Sequence, residues 1–305
     1  MDPTEAELIA VLVAVTDGEP LVLTIEDGRL LPSGPFASAH RSLQAGLRDW
    51  VEQQTHHPLG YVEQLYTFAD RDRSLGETGR RMISISYLAL TREARAAGRT
   101  SAAWRSWYRC FPWEDWRDGA PPVIARSILP RLRAWAASER ALRRERLQRI
   151  GVTFALGELP WNEELALQRY ELLFEAGLVP EAIRRRHGDL ATAVPGEAML
   201  HDHRRILATA IARLRAKIKY RPVVFELMPE SFTLLQLQRA VEALAGRTLH
   251  KPNFRRLIDQ QALVEETGGL ATETGGRPAK LFRFRPQVLL ERAVAGTKLP
   301  LSRSA

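Results

Sequence analysis

The sequence of 305 residues contains a single cysteine, Cys110, so no disulfide bond can form within the chain. A lone thiol is typical of a protein that works in a reducing cytoplasm. The sequence also has no apolar run near the roughly 18 residues that a membrane-spanning helix needs. Its first ten residues, MDPTEAELIA, are acidic and lack the basic segment of a signal peptide. We therefore expect a soluble, cytoplasmic protein that is long enough for two domains.

The first two thirds of the chain have no excess of positive charge, although the whole chain has a formal net charge of +8. Residues 201–305 hold 19 Lys and Arg against 9 Asp and Glu, so the excess lies entirely in this last third. A basic terminal domain favours a polyanionic partner, most simply nucleic acid. A merely soluble basic surface explains the same charge equally well, and charge alone leaves both interpretations open.

An acidic motif is incomplete in residues 34–55, GPFASAHRSLQAGLRDWVEQQT. The segment resembles the Nudix box, G-x5-E-x7-R-E-U-x-E-E-x-G-U, in which U is a bulky aliphatic residue. Gly34, Arg48 and Glu52 stand at the family spacing, and Trp50 fills a bulky position. The departures from the pattern are His40 for the first Glu, Asp49 after the arginine, Gln53 for the last Glu and Thr55 for the second Gly.

These departures matter because diphosphate hydrolysis on the Nudix scaffold needs hard cations, which need several carboxylate oxygens on one helix face. Gln53 is neutral and His40 is a poor magnesium ligand. We therefore expect a scaffold that holds a nucleotide without hydrolysing it, so that the chain is not an enzyme and has no catalytic or metal-binding residue. Arg48 and Glu52 lie four residues apart, a spacing at which they can form an ion pair on the helix.

The apolar pattern around this segment predicts an α/β domain. Residues 8–15 and 20–25 predict a strand hairpin that precedes the box. Residues 60–69 and 82–90 predict two further strands, which are joined by the Arg-rich loop DRDRSLGETGRR. This order is that of a Nudix α/β/α sandwich, and we assign residues 1–95 to a Nudix-like ligand-sensing domain.

Residues 96–200 lack the strand pattern and consist largely of Ala- and Arg-rich helical segments. Five of the seven tryptophans fall within residues 104–135, most of them in the motif WRSWYRCFPWEDW. Large aromatic side chains anchor helices to a core or to a second subunit; an aromatic platform for a stacked ligand is the alternative. We assign the region to an aromatic-rich helical connector that contributes to dimerisation.

The last third predicts a winged helix-turn-helix within residues 201–290, followed by a tail at residues 291–305. A helix over residues 201–220 and a short strand over residues 223–227 come first. The fold class expected for the whole chain is therefore α/β plus α+β: a Nudix-like sandwich, a helical connector and a C-terminal winged helix-turn-helix.

The two central helices of this domain carry clear start and stop signals. The letters TLLQ at residues 233–236 form a capping box, and Gly246 is well placed to end the first helix. Pro252 suits the first turn of the second helix, which in this fold enters the major groove of DNA. Residues 262–266 and 281–285 predict the two strands of the wing, on either side of a Gly-rich tip.

The combination of a damaged Nudix box, an aromatic connector and a winged helix resembles the Nudix-related transcriptional regulators of NAD metabolism, of the NrtR/NadQ type. The resemblance covers nearly the whole chain, and the wing motif TGGRPAKLFRF after KPNFRRL carries it most specifically. The motif FPWEDW and the stretch KIKYRPVVFELMPESF are more similar to the NadQ branch. The resemblance implies repression of genes for NAD biosynthesis or salvage, by a homodimer bound to double-stranded operator DNA. It also implies control by an adenine nucleotide such as ADP-ribose, NAD or ATP, with no cofactor.

The residues expected to contact DNA are the polar and basic ones of the second helix and the wing. Arg can read guanine and Asn can read adenine, while other basic residues contact phosphates. The predicted DNA-binding residues are Lys251, Asn253, Arg255, Arg256, Arg277 and Lys280. Each of them is alternatively an ordinary solvated side chain.

The residues expected to contact the effector lie on the strand before the Arg-rich loop and in that loop. Arginines can neutralise a diphosphate, and an aromatic ring can stack on adenine. The predicted ligand-binding residues are Tyr66, Phe68, Arg71, Arg73, Arg80 and Arg81. The arginines can equally well pair with the acidic residues of the same loop.

Two other classes of function fit the sequence. The first is a Nudix hydrolase that keeps weak activity through Asp49 and Glu52, with the winged helix as an accessory domain. The second is a scaffold whose winged helix binds protein, which the concentration of Arg and Lys in residues 201–305 disfavours. Neither the direction of the effector's influence on DNA binding nor the operator sequence follows from the chain.

Overall fold

The computed structural model describes residues 5–70, 82–92, 102–271 and 278–287. These residues form two compact units, one within residues 1–227 and 240–248 and the other within residues 228–239 and 249–305. The helices are α1 (Leu43–Thr55), α2 (Leu129–Ala137), α3 (Arg143–Thr153), α4 (Ala166–Glu175), α5 (Pro180–Arg185), α6 (His203–Lys217), α7 (Leu234–Ala245) and α8 (Lys251–Gln261). The strands are β1 (Glu5–Thr16), β2 (Glu19–Thr24), β3 (Ser33–Pro35), β4 (Tyr61–Phe68), β5 (Met82–Leu90), β6 (Ala103–Ser106), β7 (Val264–Ala271) and β8 (Ala279–Phe284). No helix in the described ranges is both long and apolar enough to cross a membrane.

The first unit is built on a mixed sheet with the strand order β4-β5-β1-β2-β6, and β3 also pairs with β1. β1 runs parallel to β5 and antiparallel to β2 and β3. Asp17 and Gly18 turn the chain between β1 and β2 with φ of 50° and 77°, as a two-residue hairpin turn requires. The predicted hairpin is therefore confirmed. β6, a short strand paired with β2, was not predicted.

Both faces of the sheet are covered. The even-numbered residues 8–12 of β1 form a hydrophobic core with Leu47 and Val51 of α1. Successive residues of a strand point to opposite faces, and the odd-numbered residues 9–13 are also fully buried. α6 packs against β1 and β4. The predicted Nudix-like α/β/α arrangement is confirmed.

The helical part of the first unit is organised around Glu114, which is fully buried. Arg169 donates to its carboxylate from Nε at 2.5 Å and from Nη2 at 2.9 Å, and Arg215 donates from Nη1 at 2.5 Å. Arg169 also stacks on Trp161, with Cζ 3.8 Å from the ring centroid. Arg215 reaches further, because its Nε donates to the carbonyl of Leu244 at 2.9 Å. The motif FPWEDW thus supplies the charge that joins α4, α6 and the end of α7.

Two of the five tryptophans of this region, Trp107 and Trp113, belong to the core. Trp107, Phe111 and Trp113 have no exposed surface. Trp116 lies against Trp161, with ring centroids 4.2 Å apart. Anchoring to a core is therefore confirmed for Trp107 and Trp113, whose buried rings offer no open platform for a ligand.

The second unit contains the start of α7, all of α8 and the β7–β8 hairpin. The capping box is confirmed, because Gln236 N donates to Thr233 Oγ1 at 3.2 Å and Thr233 N donates to Gln236 Oε1 at 2.7 Å. Phe232, just before α7, exchanges two backbone hydrogen bonds with Phe282 of β8, at 2.9 and 2.8 Å. This bridge fixes the hairpin to the helix pair.

One element prediction was wrong. Residues Val223–Leu227 form a 3-10 helix and not a strand. A five-residue apolar run fits a buried turn as well as a strand, and the backbone of β8 pairs with Phe232 instead. This 3-10 helix and α6 both fall in the first unit. The predicted domain boundaries after residues 95, 200 and 290 stay predictions.

Candidate functional site

The exposed surface of α8 is mostly polar and carries three basic residues. Phe254 and Ile258 are buried and fix the orientation of the helix in the second unit. Four residues predicted to contact DNA are exposed on the other faces, namely Lys251, Asn253, Arg255 and Arg256. Arg256 Nη2 lies 3.5 Å from Asn253 Oδ1, a weak contact that leaves both side chains available to a ligand.

The first turn of α8 also favours an anion. Pro252 stands in that turn, and His250 at the N-cap makes no side-chain capping hydrogen bond. The first amide groups of a helix have no partner within the helix, and they commonly bind phosphate. Lys251 adds a positive charge at the same end. The predicted helix is confirmed, with Pro252 in its first turn as expected.

The wing is the β7–β8 hairpin, with a bulge between Glu266 and Leu270. Lys280 Nζ binds both carboxylate oxygens of Glu266, at 2.8 and 3.0 Å. Lys280 was predicted to contact DNA, and a phosphate would have to take the place of Glu266. Arg277, at the predicted wing tip, lies outside the described residues.

The predicted effector residues that the structure describes lie at the end of β4. Tyr66 is 58% exposed and Phe68 is only 2% exposed, although their rings are 5.0 Å apart. Arg205 of α6 lies over the Phe68 ring, with Cζ 5.0 Å from the centroid. Tyr66 therefore offers the accessible stacking surface. The four predicted arginines, Arg71, Arg73, Arg80 and Arg81, lie outside the described residues.

The strand pairing places Phe68 in the same row of the sheet as the loop that begins the Nudix box. Phe68 pairs with Ser84, Ser84 with Glu7, and Glu7 with Pro35. One row across four strands thus runs from the predicted effector residues to the loop that begins the box. Burial raises the pKa of Glu7 above its ordinary value, although Ser84 donates a hydrogen bond to its carboxylate. Strand pairing of this kind is not visible in the sequence.

The helix of the box is held to its loop by neutral groups. The Gln54 side chain accepts from Ser33 N at 3.0 Å and donates to Ser33 O at 2.8 Å. Trp50 Nε1 donates to Pro35 O at 3.0 Å. Gly34 is needed here, because a Cβ at this position would lie 2.2 Å from the Trp50 ring.

The expected ion pair between Arg48 and Glu52 was wrong. The Arg48 guanidinium donates to the backbone carbonyls of Leu59 and Gly60, the second at 3.3 Å. The box arginine therefore fastens α1 to the start of β4. This use of an arginine on backbone oxygens has no sequence signal, because the partners lie beyond the helix.

Two of the four substituted positions of the box, His40 and Thr55, have structural partners. His40 Nδ1 accepts from Ala37 N at 3.1 Å within the loop. Thr55 Oγ1 donates to Val51 O at 2.6 Å inside the helix end. Gln53 is exposed. Across the described ranges, no group of three or more His, Cys, Asp and Glu residues is arranged to hold a metal ion.

α6 connects the end of β4 to the buried network, and sequence reasoning missed this role. Arg205 pairs with Asp70, with Glu171 and with Asp202, the last at 3.1 Å. At the other end of the helix, Lys217 pairs with Glu63 of β4. Asp202 lies three residues from Arg205, but Asp70, Glu171 and the Lys217–Glu63 pair are distant in sequence, so spacing rules could not find those contacts.

Comparison with known proteins finds a family match in the C-terminal region. Residues 224–284 match the family model of the NrtR DNA-binding winged helix domain. A segment of 86 residues is 42% identical to the ADPR responsive transcriptional repressor NtrR of Acinetobacter baylyi. That match covers 28% of this chain and spans 34% of the repressor, about a third of its length.

Comparison of whole structures finds proteins with a similar fold over nearly the whole chain. NrtR of Shewanella oneidensis, solved with a 27mer DNA, is 20% identical, with a TM-score of 0.56 over 93% of this chain and 94% of that one. A MutT/nudix family protein from Enterococcus faecalis is 16% identical, with a TM-score of 0.55 over 93% and 88%. The chain therefore has the fold of a Nudix-like domain followed by an NrtR-type winged helix.

Proposed function

We propose that the chain is a DNA-binding transcriptional repressor whose Nudix-like domain senses an adenine nucleotide. One observation carries the proposal: the segment that matches the NrtR DNA-binding winged helix domain presents the exposed basic face of α8. A helix of this kind reads base edges in the major groove, and its flanking cations bind phosphates. Lys251 and the amide groups of the first turn would hold the backbone, and Asn253, Arg255 and Arg256 would reach bases.

The effector that we propose is ADP-ribose, since the Acinetobacter repressor that is similar to a segment of 86 residues of this chain is described as ADPR responsive. Its site would be the end of β4, where the exposed Tyr66 lies two residues before the buried Phe68. Tyr66 would stack on the adenine, and the arginines that follow β4 would bind the diphosphate. NAD and ATP share the adenine and the phosphates, so they are the competing effectors.

The proposed sensor holds its nucleotide without cleaving it. Asp49 and Glu52 are the acidic residues that remain near the end of the box, and both are exposed on α1. The position of the last box carboxylate is taken by Gln53, and His40 binds its own loop. Two carboxylates are too few for the hard cations that hydrolysis needs.

Hydrolysis is tested by incubating the purified protein with magnesium and ADP-ribose and measuring AMP by chromatography. We expect AMP to stay at the level of a sample without protein. Turnover at a rate of about 1 per second or more, which is common for enzymes, would instead make the chain a Nudix hydrolase with an accessory winged helix. An Asp49→Asn, Glu52→Gln double variant is the control. Turnover by a contaminating enzyme would be the same in preparations of the variant and of the wild type.

The proposed assembly is a homodimer on double-stranded operator DNA in the cytoplasm. Repressors with this kind of DNA-binding domain commonly bind two half-sites related by the symmetry of the dimer. The regulated genes that we propose are those for NAD biosynthesis, because ADP-ribose is the part of NAD that remains when nicotinamide is removed.

Binding to DNA is tested by a gel shift at fixed salt with the duplex upstream of the chain's own gene and of adjacent NAD-synthesis genes. We expect a shift at concentrations that leave a scrambled duplex of equal length free. Addition of ADP-ribose should change the fraction of DNA bound, and NAD and ATP should be compared at the same concentration. Equal binding to the scrambled and the upstream duplexes would contradict a specific repressor.

A further inference from the structure

The helices α2 and α3 form a hairpin in the first unit, and its two arms are held together by Arg146. The Arg146 guanidinium lies over the Trp135 ring, with Cζ 4.3 Å from the centroid. Its Nη1 also donates to the carbonyl of Trp135 at 3.1 Å, and its Nη2 donates to Glu139 at 3.0 Å. These contacts hold the turn between the two helices in place.

The arginines of this hairpin fall into two classes. Some have partners: Arg131 binds Ser127, and Arg149 binds Glu175 of α4. Four others are exposed and make no side-chain hydrogen bond or ion pair with any residue that the structure describes. These four are Arg133, in the middle of α2, and Arg140, Arg143 and Arg144 at the turn between the helices; we call the last three the tip arginines.

The position of two tip arginines is unfavourable for the helix itself. Arg143 and Arg144 stand in the first turn of α3, where the helix dipole is positive. Leu142 at the N-cap supplies no side-chain hydrogen bond to the first amide groups, and Glu145 is the acidic residue of that turn. Neither stability of α3 nor a local partner explains two cations at this end. An anion that binds there would be stabilised by the arginines and by the free amide groups together.

We propose that the tip arginines bind the phosphate backbone of duplex DNA, as a contact separate from the one made by α8. This inference rests on the proposed function, which makes DNA a partner of the chain. Guanidinium groups suit phosphates because their planar fork of donors matches two phosphate oxygens. The contact would add affinity that depends on salt and not on sequence.

A second copy of the chain fits the surface less well than DNA does. A symmetric pair formed through this patch would bring the like-charged tip arginines of both protomers into one interface, where they would repel one another. An acidic protein is the remaining occupant. If the tip arginines bind an acidic protein, DNA affinity does not depend on them, so the same experiment distinguishes this occupant from DNA.

The experiment measures DNA affinity of the full chain against salt concentration for two matched double variants. Arg143→Gln, Arg144→Gln removes two tip arginines. Arg184→Gln, Arg185→Gln is the control, because it removes the same formal charge from exposed arginines at the end of α5, in the same unit. If both tip arginines bind phosphate, the slope of log K against log salt should become less steep by about 1.8, and the control should keep the wild-type slope.

The outcomes separate this inference from the proposed function. A wild-type slope in the Arg143, Arg144 variant overturns the inference, and so does an equal change in the control, which would report net charge alone. If the wild-type chain binds no upstream duplex at any salt concentration, the proposed function has failed. A melting curve checks the fold, and we expect no loss of stability, because the variant removes cations from the start of a helix.

Discussion

Glu114 and Arg215 form an ion pair at 2.5 Å in which neither side chain has any exposed surface. The two residues are 101 positions apart in the sequence, so the pair joins the aromatic motif of the connector to α6. Burial raises the pKa of Glu114, but the charges of Arg169 and Arg215 outweigh it and keep the pKa below its ordinary value. The carboxylate is therefore ionised at neutral pH and holds two buried guanidinium groups.

Replacing Glu114 by Gln should destabilise the protein strongly. The variant keeps the size of the side chain but leaves two buried guanidinium groups without a counter-charge, which typically costs about 3–5 kcal/mol. Urea unfolding followed by circular dichroism measures the change. Glu175→Gln is the control, because Glu175 pairs with Arg149 in an exposed ion pair, and such pairs contribute about 1 kcal/mol or less. Equal losses in the two variants would contradict a special role for Glu114.

His203 should make the folded state sensitive to mild acid. Its Nδ1 accepts a hydrogen bond from Leu31 N at 2.9 Å, and burial lowers the pKa of His203 from 6.5 to about 3. Between these two values the unfolded chain binds a proton that the folded chain does not. Stability from this residue is therefore present above pH 6.5 and is lost below it, by about 1.4 kcal/mol per pH unit.

Unfolding free energies between pH 7 and pH 5 test this expectation. His203→Asn keeps an acceptor for Leu31 but does not titrate, so its stability should fall less over this range than that of the wild type. His187→Asn, at an exposed histidine, should keep the wild-type dependence. Parallel curves for all three proteins would show that His203 does not control the acid response.

Arg256→Ala should weaken operator binding and leave the fold intact. The side chain is exposed on α8, and it makes a weak hydrogen bond to Asn253. If Arg256 contacts a phosphate, the slope of log K against log salt should fall by about 0.9. If it reads guanine, substitution of one base pair should cost the variant less than it costs the wild type, by about 1–3 kcal/mol. Arg239→Ala, on the exposed side of α7, tests whether loss of any charge in the unit has the same effect.

Tyr66→Ala should weaken ADP-ribose binding with little effect on stability. Loss of one stacked ring is worth about 0.5–1.5 kcal/mol, or roughly a factor of 2 to 13 in affinity. Tyr220→Ala is a close control, since Tyr220 is 60% exposed and Tyr66 is 58% exposed. Titration calorimetry measures both. An unchanged affinity in Tyr66→Ala would move the adenine site away from the end of β4.

Local signals in the sequence were sufficient for the second unit. The letters TLLQ and Pro252 mark helix starts through backbone geometry that depends on a few neighbouring residues. The same holds for the turn at Asp17 and Gly18. In each of these cases the residues that carry the signal also make the contacts, so spacing in the sequence reports spacing in the structure.

The arrangement of the first unit depends on contacts that no local rule describes. Arg48 was expected to pair with Glu52, one helical turn away, but the backbone carbonyls after α1 compete for it successfully. Arg205 and Phe68 meet only because α6 packs on β4. Residues 223–227 were taken for a strand because apolar letters alone do not distinguish a buried strand from a buried turn.

The chain's only cysteine gives experimenters a practical advantage. Cys110 is 7% exposed, and burial raises the pKa of its thiol to about 11. Thiol reagents attack the thiolate, so the native chain should stay almost unlabelled at neutral pH. A cysteine introduced at an exposed position of α8 or of the α2–α3 hairpin would then carry a fluorophore or spin label alone. Movements of each surface on addition of DNA or nucleotide become measurable one site at a time, without first removing a native thiol.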